Sequence, residues 1–208
     1  MCIMRGVREM CTLQQLAEVT PEKLRSAVGI DADAIPLDMD MLLKRWKIVA
    51  APTDFSDMEV DDDDAFNFKG SILGTVGAAG RDNGDVIILY SQNSTMSQIN
   101  YTVAHELGHC CKHSGLLSKG HILTQLKGSL DVEIEKEADK FAMELLMPEA
   151  GMRKIFGSCL RKLGITTKEI TNDIRKKIIC YVAYVCQVPG VHVEERLVTL
   201  DLIRCECN

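Results

Sequence analysis

A chain of 208 residues, 46% hydrophobic and 26% charged, can bury one sizeable core, or one core with a small appendage. Its net charge of −6 argues against a protein that grips nucleic acid through its overall field, because phosphate contacts need clustered Lys and Arg. Nine cysteines, an odd number, without an apolar leader in MCIMRGVREM or any apolar run approaching a bilayer span, predict free thiols in a soluble, cytoplasmic protein.

Thr20-Pro21-Glu22 predicts a helix start, with a capping hydroxyl, proline at the first helical position and an acid in the first turn. Leu24, Ala27 and Val28 form its apolar face, and Gly29 ends it. Asp38 to Trp46 predicts a second short helix, and the KIVAAP that follows a strand stopped by Pro52. The aspartates at 61 to 64 read as a solvated loop, since the alternating ligand spacing of a calcium site is missing. From Ser71 to Tyr90, two apolar, β-branched runs flank the turn-rich RDNG, which predicts a hairpin or two neighbouring antiparallel strands. Glycines at 70, 74, 77 and 80 leave the first strand thin, so another backbone can approach it closely.

The next helix is expected to begin at Thr95, because Thr95 and Gln98 have capping-box spacing, and to end near Gly115. It carries AHELGHCC. His105 and His109, four residues apart, leave one helical face and can chelate one ion, while Glu106 is rotated by about 100° from His105. Zinc lowers the pKa of a bound water to about 7, and a neighbouring glutamate can take its proton as the oxygen attacks a carbonyl. A third ligand is needed. The metzincin pattern would put a histidine at 115, where this chain has Gly115. His113 lies a further turn along the same face, and three ligands in line on a straight helix surround an ion poorly, so it reads as a capping or packing histidine.

The helix predicted from about Asp131 to Pro148 has an apolar stripe of Ile134, Ala138, Phe141, Ala142, Leu145 and Leu146. On a helical wheel Glu135 sits about 60° from the centre of that stripe, whereas Glu133, Glu137 and Glu144 point outward. An acid at the edge of an apolar face needs a partner or a metal, which makes Glu135 the candidate third ligand. Asp139, one turn on, is placed to accept a hydrogen bond from the outer nitrogen of a ligand histidine. The competing reading is a Glu-Lys-rich surface helix with weak ion pairs.

After Pro148 the chain reads as a helical tail. Thr166 to Glu169 is a second capping-box match, followed by an apolar face of Ile170, Ile174, Ile178, Val182 and Val185, and a short helix HVEERLVTL follows Pro189-Gly190. This tail is apolar, with Arg175, Lys176 and Lys177 its only basic cluster, so packing or partner recognition is favoured over DNA reading. Cys205 and Cys207 form only a weak metal spacing, and Cys110 and Cys111 put two thiols beside His109, where oxidation or metal capture would tune activity.

TVAHELGH followed by IEKEADKFAMELLMP resembles the ImmA/IrrE family of zinc metallopeptidases, over roughly Asp38 to Pro148 with a looser match through VEERLVTLDLI. The resemblance implies an α+β fold: a thermolysin-like zincin core, with a small mixed or antiparallel sheet packed on the HExxH helix and a C-terminal helical tail. The corresponding domains are 1–150, a metallopeptidase domain with N-terminal helices, and 151–208, the helical extension. It also implies His105, His109 and Glu135 as ligands of zinc (or manganese, which such a site accepts), Glu106 as general base, and Asp139 where the family has Asn or Asp. The implied partner is a protein substrate, a helix-turn-helix transcriptional repressor, with no nucleic acid or membrane bound directly. Two other readings fit the same residues: a binding module that displaces a repressor without cutting it, and a zinc hydrolase acting on a small amide.

Overall fold

The computed structural model describes residues 11–54, 74–78, 86–117, 129–166 and 170–204. Helices α1 (Leu13–Leu16), α2 (Pro21–Ala27) and α3 (Met39–Trp46) lead into strand β1 (Val49–Thr53). Strands β2 (Gly74–Ala78) and β3 (Val86–Ser91) precede helices α4 (Met96–Lys112), α5 (Ser114–Leu117) and α6 (Ser129–Leu146). Helices α7 (Glu149–Leu163), α8 (Asn172–Cys186) and α9 (Gly190–Thr199) complete the described chain. The architecture is α+β, as expected, and the described residues are mostly helical.

The local signals explain most boundaries. The Thr20 hydroxyl accepts from the Lys23 amide at 3.3 Å, Pro21 opens α2, and Gly29 follows it with φ +69°, a conformation that costs glycine little. Asp38 caps α3 through the Met41 amide at 2.8 Å. Thr95 and Gln98 form the capping box of α4, each side chain serving the other residue's backbone.

The sheet order is β1-β3-β2, with β1 parallel and β2 antiparallel to β3. The antiparallel pair matches the expected neighbouring strands; the RDNG turn lies outside the described residues, as do the aspartates at 61 to 64 and Cys205 and Cys207. Pro52 does not stop β1 but sits within it, opposite Tyr90. Among the described residues β1 lies at an edge of the sheet, where a residue without an N–H can face away from the ladder. Two helix boundaries also differ from expectation. α4 ends at Lys112, with His113 as C-cap at φ −119°, and a separate turn of helix, α5, follows. α8 starts at Asn172 behind Thr171 rather than at Thr166; residues 167–169 of the expected capping box lie outside the described residues.

The sheet packs on α4, and α4 packs along α6. Leu107, Ala138, Phe141, Ala142, Leu145 and Leu146 are at most 1% exposed, so the stripe expected on α6 does face the core. That core continues through Met152 and Phe156 on α7, Ile178 and Val182 on α8, and Val193 and Leu197 on α9.

Two buried arginines hold the C-terminal end of α6. Arg25 donates to the carbonyls of Leu145 (2.8 Å), Asp31 (3.1 Å) and Ala34, and Arg196 donates to the Met147 carbonyl (3.0 Å). The last carbonyls of a helix lack intrahelical partners and carry the negative end of its dipole, so cationic donors there serve both needs. Burial lowers the pKa of each arginine, yet both stay charged because an arginine starts so far above neutrality. Arg25 is 2% exposed, and Arg25→Met would take the donor from three carbonyls, that of Leu145 in a buried hydrogen bond. A loss of about 3 kcal/mol is expected, read as a lower urea midpoint at unchanged slope.

Candidate metal centre

The centre is built where α4 crosses α6. Gly108 is a point of close approach: a Cβ there would lie 3.0 Å from both the Cα and the carbonyl oxygen of Ala138 and 3.1 Å from Phe141 Cβ. The glycine of HELGH therefore lets the second helix come near enough for its carboxylates to reach the histidines of the first. Gly108→Val is expected to force the helices apart, destabilising the fold by about 2 kcal/mol and weakening metal binding. Thermal unfolding of the metal-free chain and a metal titration would separate the two effects.

At the crossing, His105 and His109 from α4 meet Glu135 from α6. The His109 and His105 Nε2 atoms lie 3.0 Å apart, His105 Nε2 lies 3.1 Å from Glu135 Oε2, and His109 Nε2 lies 3.3 Å from Glu135 Oε1. Ligand atoms from all three fall within 4.8 Å of one another, the only such group of His, Cys, Asp or Glu among the described residues. Three electron-pair donors aimed at one point repel unless a proton or cation joins them. Donors held about 2.0–2.1 Å from a tetrahedral zinc stand roughly 3.4 Å apart, so these separations fit such an ion. Two imidazoles and a carboxylate are also a donor set that suits zinc or manganese.

The outer nitrogens are engaged as well. His105 Nδ1 lies 2.9 Å from Asp139 Oδ1, which also accepts from the Tyr101 hydroxyl at 3.0 Å. Tyr101 stacks on His192 of α9, ring centroids 3.4 Å apart and nearly parallel. On the other side, His109 Nδ1 lies 3.3 Å from His113 Nδ1, and His113 Nε2 lies 2.9 Å from Glu137 Oε2. Glu106, 7% exposed, follows His105 on α4, and its charge favours the imidazolium of that histidine.

Charge balance in the cluster is uneven. Burial disfavours the imidazolium of His105, but hydrogen bonds to Asp139 and Glu135 outweigh it and raise its pKa to about 10. For His109 burial prevails, with the neighbouring histidines adding to it, and the pKa falls. Burial raises Glu135 and Asp139, yet hydrogen bonds to His105, joined at Glu135 by His109, carry both below their ordinary values. The carboxylates are thus ionised and His105 holds a proton that a metal ion must displace.

The structure brings together His105, His109 and Glu135, and places Asp139 against the Nδ1 atom of His105. His113 does cap α4, but its side chain does more than pack, and Glu137, though 61% exposed, turns one oxygen onto it rather than pointing wholly outward. Tyr101 and His192 escaped the sequence reading. Tyr101 precedes His105 by one helical turn, a spacing that could have revealed it; nothing local singles out His192. Cys110 and Cys111 are 0% exposed, and burial raises both thiols, Cys111 to about 12. They are therefore not the accessible, thiolate-bearing pair that redox tuning would require. Among the described cysteines only Cys180 is exposed. Iodoacetamide on the native chain should label Cys180 and leave Cys11, Cys110, Cys111 and Cys186 unmodified until denaturant is added, as peptide masses would report.

Residues 55–164 match the model of the Peptidase_M78 family, described as the IrrE N-terminal-like domain. No characterised protein matches the chain.

Proposed function

The chain belongs to the Peptidase_M78 family of IrrE N-terminal-like domains, and from that membership we propose that it is a cytoplasmic zinc endopeptidase that cleaves a helix-turn-helix transcriptional repressor. The observation that carries this reading is the convergence of His105, His109 and Glu135 beside the buried Glu106. His105, His109 and Glu135 hold the ion; Asp139 fixes the ring of His105. When bound, the ion supplies Lewis acidity toward the scissile carbonyl and toward the attacking water. Glu106 takes a proton from that water and delivers it to the leaving amide nitrogen.

The small sheet on α4 supports a zincin-like core. Among the described residues β2 lies at one edge of the sheet, near α4, and an extended substrate would add to it by main-chain hydrogen bonds. Residues 1–150 form the peptidase domain in this reading, and 151–208 help position the repressor. No helix among the described residues is long and apolar enough to cross a membrane.

The test is co-expression of the wild type or Glu106→Gln with whatever small helix-turn-helix repressor is encoded beside it, with the repressor read by intact mass. Truncation with wild type alone supports the proposal and locates the bond. A repressor left whole, yet bound and silenced by both proteins, would make the chain a binding module instead. Turnover of small amides without cutting of any protein would overturn the protein substrate.

A further inference from the structure

We propose that His113 and Glu137 form an orienting relay for His109, so that two residues that do not touch the ion set how tightly it is held. This rests on the reading of His109 as a ligand. The geometry is a chain: the shared ligand point, His109, His113 and Glu137, linked by the 3.3 Å contact between Nδ1 atoms and the 2.9 Å contact from His113 Nε2 to the carboxylate.

Proton bookkeeping gives the chain one direction. A neutral imidazole that offers its Nε2 lone pair to a cation keeps its hydrogen on Nδ1. That N–H can only donate to His113 Nδ1, which must then be the lone-pair nitrogen. His113 therefore carries its hydrogen on Nε2, and donates it to Glu137 Oε2. The opposite tautomer of His113 would set two N–H groups against each other at one end and two lone pairs at the other. Every ring nitrogen is used once, which also leaves His113 no lone pair for the ion.

The fold builds this arrangement from ordinary helical spacing. His113 follows His109 by one turn, and as the C-cap of α4 it leaves the helical path with its amide still bonded to the His109 carbonyl at 2.8 Å. His113 is 8% exposed and His109 2%, so the link between them is shielded from water. The two ligand histidines are thus held alike: His105 ends directly on the carboxylate of Asp139, and His109 ends on that of Glu137 through a second imidazole. Such partners fix ring rotation and raise ligand basicity.

The test measures zinc affinity of the full-length chain by competition with a chromophoric chelator, together with ring nitrogen-15 spectra of the zinc-loaded wild type. His113→Leu should weaken binding about 10- to 100-fold. Glu137→Ala, on an exposed side chain, should weaken it by about threefold to tenfold, and the double variant should be no weaker than His113→Leu. In the spectra, His113 should appear as the Nε2–H tautomer, a signature that a merely packed histidine need not show. Affinity within twofold of wild type in His113→Leu, or an Nδ1–H or doubly protonated His113, would overturn the relay while leaving the metal centre standing. Should His113→Leu fail to fold, the tautomer and Glu137→Ala decide. Should the wild type bind no zinc, or bind it no better than Glu135→Ala, the ligand assignment fails first and the relay falls with it.

Discussion

Glu135→Ala is expected to cost the chain its metal: more than about a hundredfold in zinc affinity, beyond the range associated with orienting partners. The carboxylate faces both imidazoles, one oxygen 3.1 Å from His105 Nε2 and the other 3.3 Å from His109 Nε2. Two histidines alone leave an ion half-coordinated and its charge uncompensated. Alanine is well tolerated in a helix, and Glu135 is half-exposed, so α6 should still form and the variant should fold. Neighbouring acids serve as controls on the same helix. Among the described residues Glu133 makes a surface pair with Lys136 at 3.1 Å, and its alanine variant should bind zinc as the wild type does. Glu137→Ala should retain the ion with weakened affinity. Equal loss in the Glu135 and Glu137 variants would sink the assignment of Glu135, and metal retained by Glu135→Ala would do so alone.

The parts of this arrangement that could be read from the sequence are those encoded within one helix. Thr95 and Gln98 announce the start of α4, and the stripe from Ile134 to Leu146 orients α6 well enough to single out Glu135 and Asp139 from six acids in one segment. Periodicity assigns faces, and a face is enough when the partner is one conspicuous motif. It cannot say which outward residue meets a side chain arriving from elsewhere. Glu137 looks solvated on the wheel, yet it pairs with His113, the C-cap residue just beyond the end of α4 at Lys112. Arg25 sits on an otherwise ordinary amphipathic helix, and its burial is set by the end of α6, 120 residues away. Pro52 does not end its strand, because whether a strand tolerates proline depends on its place in the sheet, which β1 acquires by pairing with β3. The crossing at Gly108 is likewise a property of two helices together.

Glu106→Gln is the variant that separates chemistry from assembly. Glutamine has nearly the same volume and can still occupy the site, 7% exposed, without opening a cavity. What it lacks is a basic lone pair that can accept and return a proton. In the proposed mechanism the water is deprotonated as it attacks and the amine is protonated as it leaves, so one substitution removes both transfers. General acid–base catalysis contributes about 10²- to 10⁴-fold, and the cleavage rate should fall by that factor. Metal affinity should change far less than in Glu135→Ala, because Glu106 is outside the convergent donor set. A modest change remains, since the Glu106 charge favours the imidazolium of His105; removing it eases the proton from that nitrogen while also removing a favourable negative charge near the ion, and the two effects oppose. The decisive comparison is therefore a purified zinc-loaded variant, matched to wild type in metal content, against the same repressor. Loss of cleavage with binding intact assigns the proton transfers to Glu106. Undiminished cleavage would remove it as general base, and cleavage lost together with the metal would show that it holds the site rather than works in it.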